Sequence, residues 1–167
     1  FAFYVHHVAM HKVPAFWRFH RVHHSDPAVD VTTTVRQHPV EGLIRYAFIA
    51  LFAFPLGAGI GGFALYRIWS AVNGLLEHAN IRVPHWLDHL LSLVTTWPNM
   101  HKVHHSRERA ETDSNYANLF SFFDRLFRTF TPSSRGPFVR YGINGYDAPE
   151  HQSIGAVLWL PFQRSVD

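Results

Sequence analysis

The chain has 167 residues, 47% of them hydrophobic and 16% aromatic. That is enough for one domain and too apolar for disorder or a low-complexity tract. It contains no Cys, which excludes disulfides, thiolate metal sites and an iron–sulfur centre of its own, so any metal must rest on nitrogen and oxygen donors. The formal charge is +3, with 15 Lys and Arg spread along the chain; this is no nucleic-acid patch, and no nucleic-acid partner is expected. The 14 His outnumber the 12 Asp and Glu together.

The opening FAFYV is apolar and runs straight into His6 and His7. It reads as a fragment whose preceding helix is missing, with no signal-peptide pattern. Pro14 is expected to restart a helix, since a first turn tolerates its missing N–H. Residues 25–39 carry Ser, Asp, Pro and three Thr and read as a loop or extended link. Between Arg45 and Arg67 lie 21 uncharged residues, close to the roughly 20 that a membrane span needs. Pro55, Gly57, Gly59, Gly61 and Gly62 cluster at the middle of this run, where a turn would sit. The favoured reading is a transmembrane helical hairpin over about 40–79, with arms near 40–54 and 60–79; a single span over 46–66 and a buried soluble hairpin are the alternatives.

Residues 84–97 read as an amphipathic helix opened by Pro84, with Leu87, Leu90, Leu91 and Val94 as its apolar stripe. TDSNYAN (112–118) reads as a turn. Leu119, Phe122, Phe123, Leu126, Phe127 and Phe130 follow helical spacing, with Asp124, Arg125 and Arg128 on the opposite face. A packing helix is expected there, or one lying in a membrane interface. After residue 131, recurring Pro and Gly predict loops and a short apolar end piece over 155–162. The fold class expected is all-α: a membrane-associated helical fold with a transmembrane hairpin and a histidine-rich cytosolic cap.

Three histidine patterns carry the chemistry. His7 and His11 are spaced i, i+4; His20, His23 and His24 form HxxHH within HRVHHS; His101, His104 and His105 repeat it within HKVHHS. At this histidine frequency two such triplets would arise by chance roughly 0.005 times. On a helix each triplet falls within an arc of roughly 100°, so each segment is expected to point its imidazoles one way. Neutral imidazole suits Fe, Zn, Cu and Ni rather than Mg or Ca. Eight such ligands exceed one tetrahedral zinc and are enough for two metals. His6 cannot share the direction of His7. His85 and His89 stand alone on a polar helix face, His151 lies in a loop-like tail, and His38 and His78 are ambiguous on spacing alone. The two triplets flank the apolar run, so a single crossing would place them on opposite sides of a bilayer. Lys12, Arg18, Arg21, Arg36 and Arg45 precede the run, and Arg82, Lys102, Arg107 and Arg109 follow it. Both flanks therefore read as cytoplasmic, which favours the hairpin.

YVHHVAMH (4–11), FWRFHRVHHSD (16–26), RQHPVE (36–41), EHAN (77–80), HKVHHSRE (101–108) and TDSNYAN…FDRLFRTF (112–130) together resemble the fatty acid hydroxylase superfamily, which includes sterol desaturases and methyl sterol oxidases. The likeness covers nearly the whole chain as one catalytic domain, 1–167, truncated at its N-terminus. It implies an integral membrane oxidoreductase, its metal site facing the cytoplasm, that hydroxylates or desaturates a fatty acyl chain or sterol. It implies two iron ions, with zinc possible in isolated protein, and O2 as co-substrate. The ligands implied are His7, His11, His20, His23, His24, His101, His104 and His105, with His78 as a further one and His38 in a supporting role. Asp26, Glu41, Glu77, Asp113 and Asn115 are candidates to orient the imidazoles. With no Cys and no nucleotide-binding glycine fingerprint, electrons are expected from a separate protein. Two other readings remain. A zinc-dependent membrane hydrolase is weakened by the absence of HExxH. A non-enzymatic membrane metal-binding protein is weakened by the lack of polar residues over 46–66.

Overall fold

The structure, a computed structural model, describes residues 1–164; among them it is all-helical, with no strand. Helices α1 (Ala2–Lys12) and α2 (Pro14–His24) meet at Val13, whose extended backbone (φ −96°, ψ 114°) breaks the helical path one residue before Pro14. Pro14 then takes the first helical position, where no N–H is needed. A 3-10 helix, Val31–Val35, follows. It is capped by Asp30, whose side chain accepts from Thr32 N at 2.7 Å.

The apolar run forms α3 (Pro39–Ala53) and α4 (Ile60–Glu77), separated by a turn through Pro55 and Gly57. Gly57 has φ 63°, a left-handed conformation that a side chain would strain. The expected hairpin is thus present as two helices. However, among the described residues no helix is long and apolar enough to cross a membrane. Fifteen residues reach only about 22 Å at 1.5 Å each, short of a hydrocarbon core of about 30 Å. Helix α4 is longer, but it carries Arg67, Ser70, Asn73 and Glu77. The two arms bear on different elements: α3 packs on α1 and α2, and α4 packs on the 31–35 turn and on α6. Helices α5 (His85–Leu91), α6 (Pro98–His104), α7 (Arg109–Thr112), α8 (Phe122–Leu126) and α9 (Ile154–Trp159) complete the helical set, with 3-10 helices at Ser133–Phe138, Pro149–Gln152 and Leu160–Phe162.

Two expected helices depart from their patterns. The helix at 84–97 ends at Leu91, and only half of its expected apolar stripe, Leu87 and Leu91, is partly buried. Leu90 and Val94 of the expected apolar stripe are exposed, while Asp88 is buried and accepts from Ser133 Oγ. The strongly patterned helix at 119–130 spans only Phe122–Leu126. Arg128 turns left-handed (φ 60°), and Thr129 N donates back to Asp124 O at 2.7 Å, which ends the helix. Asp124, placed on the solvent face by periodicity, is fully buried instead. Its carboxylate accepts from Tyr116 N (2.7 Å), Ala117 N (3.0 Å) and Thr129 Oγ1 (2.8 Å). Helical spacing identifies a face but not the medium it meets.

The interior is correspondingly polar. The apolar cluster is small, built on Tyr4, Tyr116 and Ala117. Five of the twelve largest fully buried side chains among the described residues are histidines, and Arg21 and Glu41 are among the rest.

Candidate metal centre

Nine imidazoles meet in the middle of the fold, all buried. They form two groups: His7, His11, His20, His24 and His104 in one; His23, His78, His101 and His105 in the other. Within each group one ring nitrogen per residue lies within 4.8 Å of the rest. Helical geometry explains the division. Residues four apart share a face, while adjacent residues diverge by about 100°. In α2, His20 and His24 therefore go to the first group and His23 to the second. In α6 and its C-cap, His101 and His105 go to the second and His104 to the first. The HxxHH triplets do not each point one way, as expected from their arc; each straddles both groups. The groups abut, with the rings of His24 and His105 stacked at 4.6 Å between centroids.

In the first group every Nδ1 faces an oxygen and every Nε2 faces inward. His7 Nδ1 meets Tyr116 O at 2.6 Å, and His104 Nδ1 meets Ser114 O at 2.7 Å. His11 Nδ1 meets Asp113 Oδ1 at 3.2 Å, and His24 Nδ1 meets Thr112 Oγ1 at 3.4 Å. His20 Nδ1 lies 3.1 Å from Glu41 Oε1. In the second group His78 Nδ1 meets Gly74 O at 2.7 Å, and His23 Nδ1 meets Arg36 O at 3.3 Å. A carbonyl or carboxylate only accepts, so the Nδ1 atoms that face one carry the proton and their Nε2 atoms present lone pairs; the Nδ1 atoms of His101 and His105 are buried with no hydrogen-bond partner and fix no tautomer there. Yet His23 Nε2, His101 Nε2 and His105 Nε2 each lie 3.1 Å from His78 Nε2. His20 Nε2 lies 3.1 Å from His7 Nε2 and 3.2 Å from His24 Nε2. The Nε2 atoms of His11 and His104 are buried with no hydrogen-bond partner. In the His7–His20, His20–His24 and His23–His78 pairs, lone pairs facing one another across about 3 Å repel unless a cation lies between them. Two nitrogens about 2.1 Å from one ion, at right angles, would be separated by about that distance. The donor set fits a metal in each group.

Burial pushes the imidazoles of His7, His11, His23, His24, His101 and His105 well below the usual histidine range, and neighbouring imidazoles push them further. Burial also takes His104 down to about 3. Neutral imidazole is the form that binds metal.

A cavity of about 340 Å³ opens on both groups, reaching His7, His20, His23, His78 and His101. It lies between the two hairpin arms, with Glu41 and Arg45 on one side and Arg67, Ala71 and Gly74 on the other. His6 is on its wall, outside both groups, with both ring nitrogens buried and unpartnered.

The supporting residues divide. Glu41 and Asp113 touch imidazoles as expected. Glu77 Oε1 is 3.9 Å from His101 Nε2 and accepts from Asn118 at 3.0 Å. Asp26 does not face an imidazole; it accepts from Thr33 Oγ1 at 2.7 Å and holds the 31–35 turn. Asn115 ties Met100 O to Thr131 O instead. His38 caps α3, accepting from Val40 N at 3.2 Å, and packs on Phe19 and Phe162. His85 and His89 are exposed on α5. The carbonyls of Arg36, Gly74, Ser114 and Tyr116 were missed as orienting groups, because no side-chain type announces a carbonyl.

The fatty acid hydroxylase family matches residues 1–129, a stretch that contains all nine imidazoles. The chain belongs to the fatty acid hydroxylase family. Over 164 residues it is 32% identical to ornithine lipid hydroxylase OlsE of Rhizobium tropici, covering 98% of this chain and 48% of that protein. It is 30% identical over 147 residues to alkylglycerol monooxygenase of Caenorhabditis elegans, covering 86% and 27%. It is 32% identical over 146 residues to a very-long-chain aldehyde decarbonylase of Oryza sativa, covering 80% and 22%. The chain thus spans about half the length of the first relative and less of the others. No solved structure matches it.

Proposed function

We propose that this family member is an O2-dependent lipid hydroxylase or desaturase whose two histidine groups each hold an iron ion. The observation that carries the reading is the pair of buried, neutral imidazole groups opening on one cavity. His7, His11, His20, His24 and His104 would hold one ion, and His23, His78, His101 and His105 the other. Bound iron would supply the activation of O2 toward an unactivated C–H bond. In hydroxylation one oxygen atom enters the C–H bond; the other leaves as water, with two electrons from a donor protein and two protons from solvent.

The chain's own residues bind, orient and exclude water. The carbonyls of Tyr116, Ser114 and Gly74 fix ring tautomers and directions. Phe3, Val35 and Ala71 give the cavity apolar wall against which a hydrocarbon can lie. The membrane would be met by the apolar side chains that the fold turns outward. Ile60 is 90% exposed and Leu65 71%, and Trp86, Leu90 and Val94 of the 84–97 segment join them. Exposed apolar side chains in such number support a membrane face. The basic residues flanking the hairpin support a cytoplasmic side for the imidazoles.

The test is to purify the full-length protein, measure bound iron, and look for O2-dependent oxidised lipid in cells with and without the gene. His20→Ala and His104→Ala should each abolish product; full turnover in either variant refutes the assignment.

A further inference from the structure

Between Glu41 and Glu77 the sequence holds only two charged residues, Arg45 and Arg67. They sit on opposite arms of the hairpin, and both line the cavity that reaches the imidazoles. A lone cation in an apolar helix is costly unless something meets it. Arg45 is only partly satisfied. Its Nη2 donates to Gln37 Oε1 at 2.5 Å and to Glu41 Oε1 at 3.0 Å, while its buried Nε has no partner. Arg67 has no acidic partner among the described residues; its guanidinium lies 5.3 Å from the ring of Tyr46, the residue after Arg45. Neither carboxylate on the cavity wall pairs with Arg67. Glu41 meets His20 and Arg45, and Glu77 accepts from Asn73 and Asn118. Arg67 is half-buried on the cavity wall rather than on the exposed apolar face.

We infer that Arg67, with Arg45, binds a phosphate or carboxylate carried by the lipid substrate. The planar guanidinium fork matches both groups in a bidentate way. Arg67, Ala71, Gly74 and His78 follow one another on one face of α4 at helical spacing. The acidic group would therefore be held at one end of the cavity while its hydrocarbon runs toward the imidazoles. This inference rests on the oxidative reading above and narrows its substrate to lipids bearing an acidic oxygen group.

The experiment uses metal-loaded full-length protein in neutral nanodiscs, with O2 and a reduced electron-donor protein supplied for turnover. Equilibrium binding and O2-dependent turnover are measured for phosphatidic acid and for diacylglycerol with matched chains. Wild type should bind phosphatidic acid about tenfold or more tightly, the worth of one charge-assisted contact. Arg67→Gln should lose most of that preference through KM rather than kcat, and Arg67→Lys should keep part of it. Arg18→Gln, exposed on α2, should keep all of it. Equal wild-type affinity for the two lipids overturns the proposal, even if the Arg67 variants fail to fold. So does a preference that survives Arg67→Gln, or inorganic phosphate that binds where phosphatidic acid does not. Preference without product leaves the anion site standing and refutes the oxidase; product without preference does the reverse.

Discussion

Glu41 offers the sharpest test of how the scaffold holds the imidazoles. The side chain is 1% exposed, and its Oε1 lies 3.1 Å from His20 Nδ1 and 3.0 Å from Arg45 Nη2. Removing one member of a buried ion pair costs about 3–5 kcal/mol, because the other charge is left behind. Here Arg45 keeps Gln37 Oε1 at 2.5 Å, and its side chain is 12% exposed. That places Glu41→Ala at or just below the lower limit of that range, about 2–3 kcal/mol, or roughly 4–12 °C in Tm for a chain of this size. The metal effect is separate. Loss of a ligand's orienting partner weakens metal binding about 10–100-fold, or roughly 1.4–2.7 kcal/mol. Since His20 belongs to the first group only, the loss should fall on one ion of the two. Chelator competition, followed by metal counting per chain, should show one ion released early and the other held as in wild type. Glu41→Gln, which keeps an oxygen but no charge, should lie between. Unchanged affinity in Glu41→Ala, or equal loss of both ions, refutes the reasoning.

Gly136→Ala would place a Cβ against the backbone of Asn99, 2.9 Å from its C and Cα atoms and closer still to its carbonyl oxygen; overpacking of this kind costs about 1–3 kcal/mol, and a Tm equal to wild type would show that the 133–138 segment gives way freely. Asp124→Ala leaves the Tyr116 and Ala117 N–H groups buried without acceptors; at about 1–3 kcal/mol each, the loss should appear in the melt and exceed that of Asp124→Asn, and a smaller loss would refute the capping role. Metal-free protein should lose stability in acid. Seven imidazoles have lowered pKa values in the fold, so below about 6.5 the unfolded chain takes protons that the folded one refuses. Their contribution is complete above about pH 6.5 and falls as pH drops toward their folded values, each by up to about 1.4 kcal/mol per unit. His6, His38 and His78 are lowered as well; the carboxyls of Asp124, raised by burial to about 6, Glu77 and Asp88 work the other way, as three groups against ten. A Tm that stays flat between pH 7 and pH 5 would contradict this.

Much of this arrangement could be read from the residues because helix geometry links spacing to direction. Pro14, Pro39 and Pro98 all open helices, and the Pro55–Gly57 break falls where the charge-free run divides. The repeated HxxHH triplets locate the imidazoles on α2 and α6. What spacing left open was the assignment of ring to group, since residues three and four apart differ by about 100° and the structure uses that difference. The short length of α8 comes from the left-handed turn at Arg128. The faces of α5 and α8 were misread because the periodicity was counted as though apolar faces turn inward, whereas here Asp88 and Asp124 are inside and Leu90, Val94 and Leu126 are outside.

That inversion follows from the centre itself. Nine buried imidazoles leave little room for an apolar core, and each requires an acceptor for its second nitrogen if it is to offer a lone pair inward. Backbone carbonyls supply several of those acceptors, so the segments that carry them must be held in place. Asp124 does this for the loop at Tyr116, and Thr112 Oγ1 donates to His104 O on α6 at 2.5 Å. Polar side chains are thereby drawn inward to support the centre, and the apolar residues of α5, α8 and the hairpin are turned out. A chain organised in this way has its hydrophobic contacts available for a lipid environment while its buried polar groups hold the imidazoles.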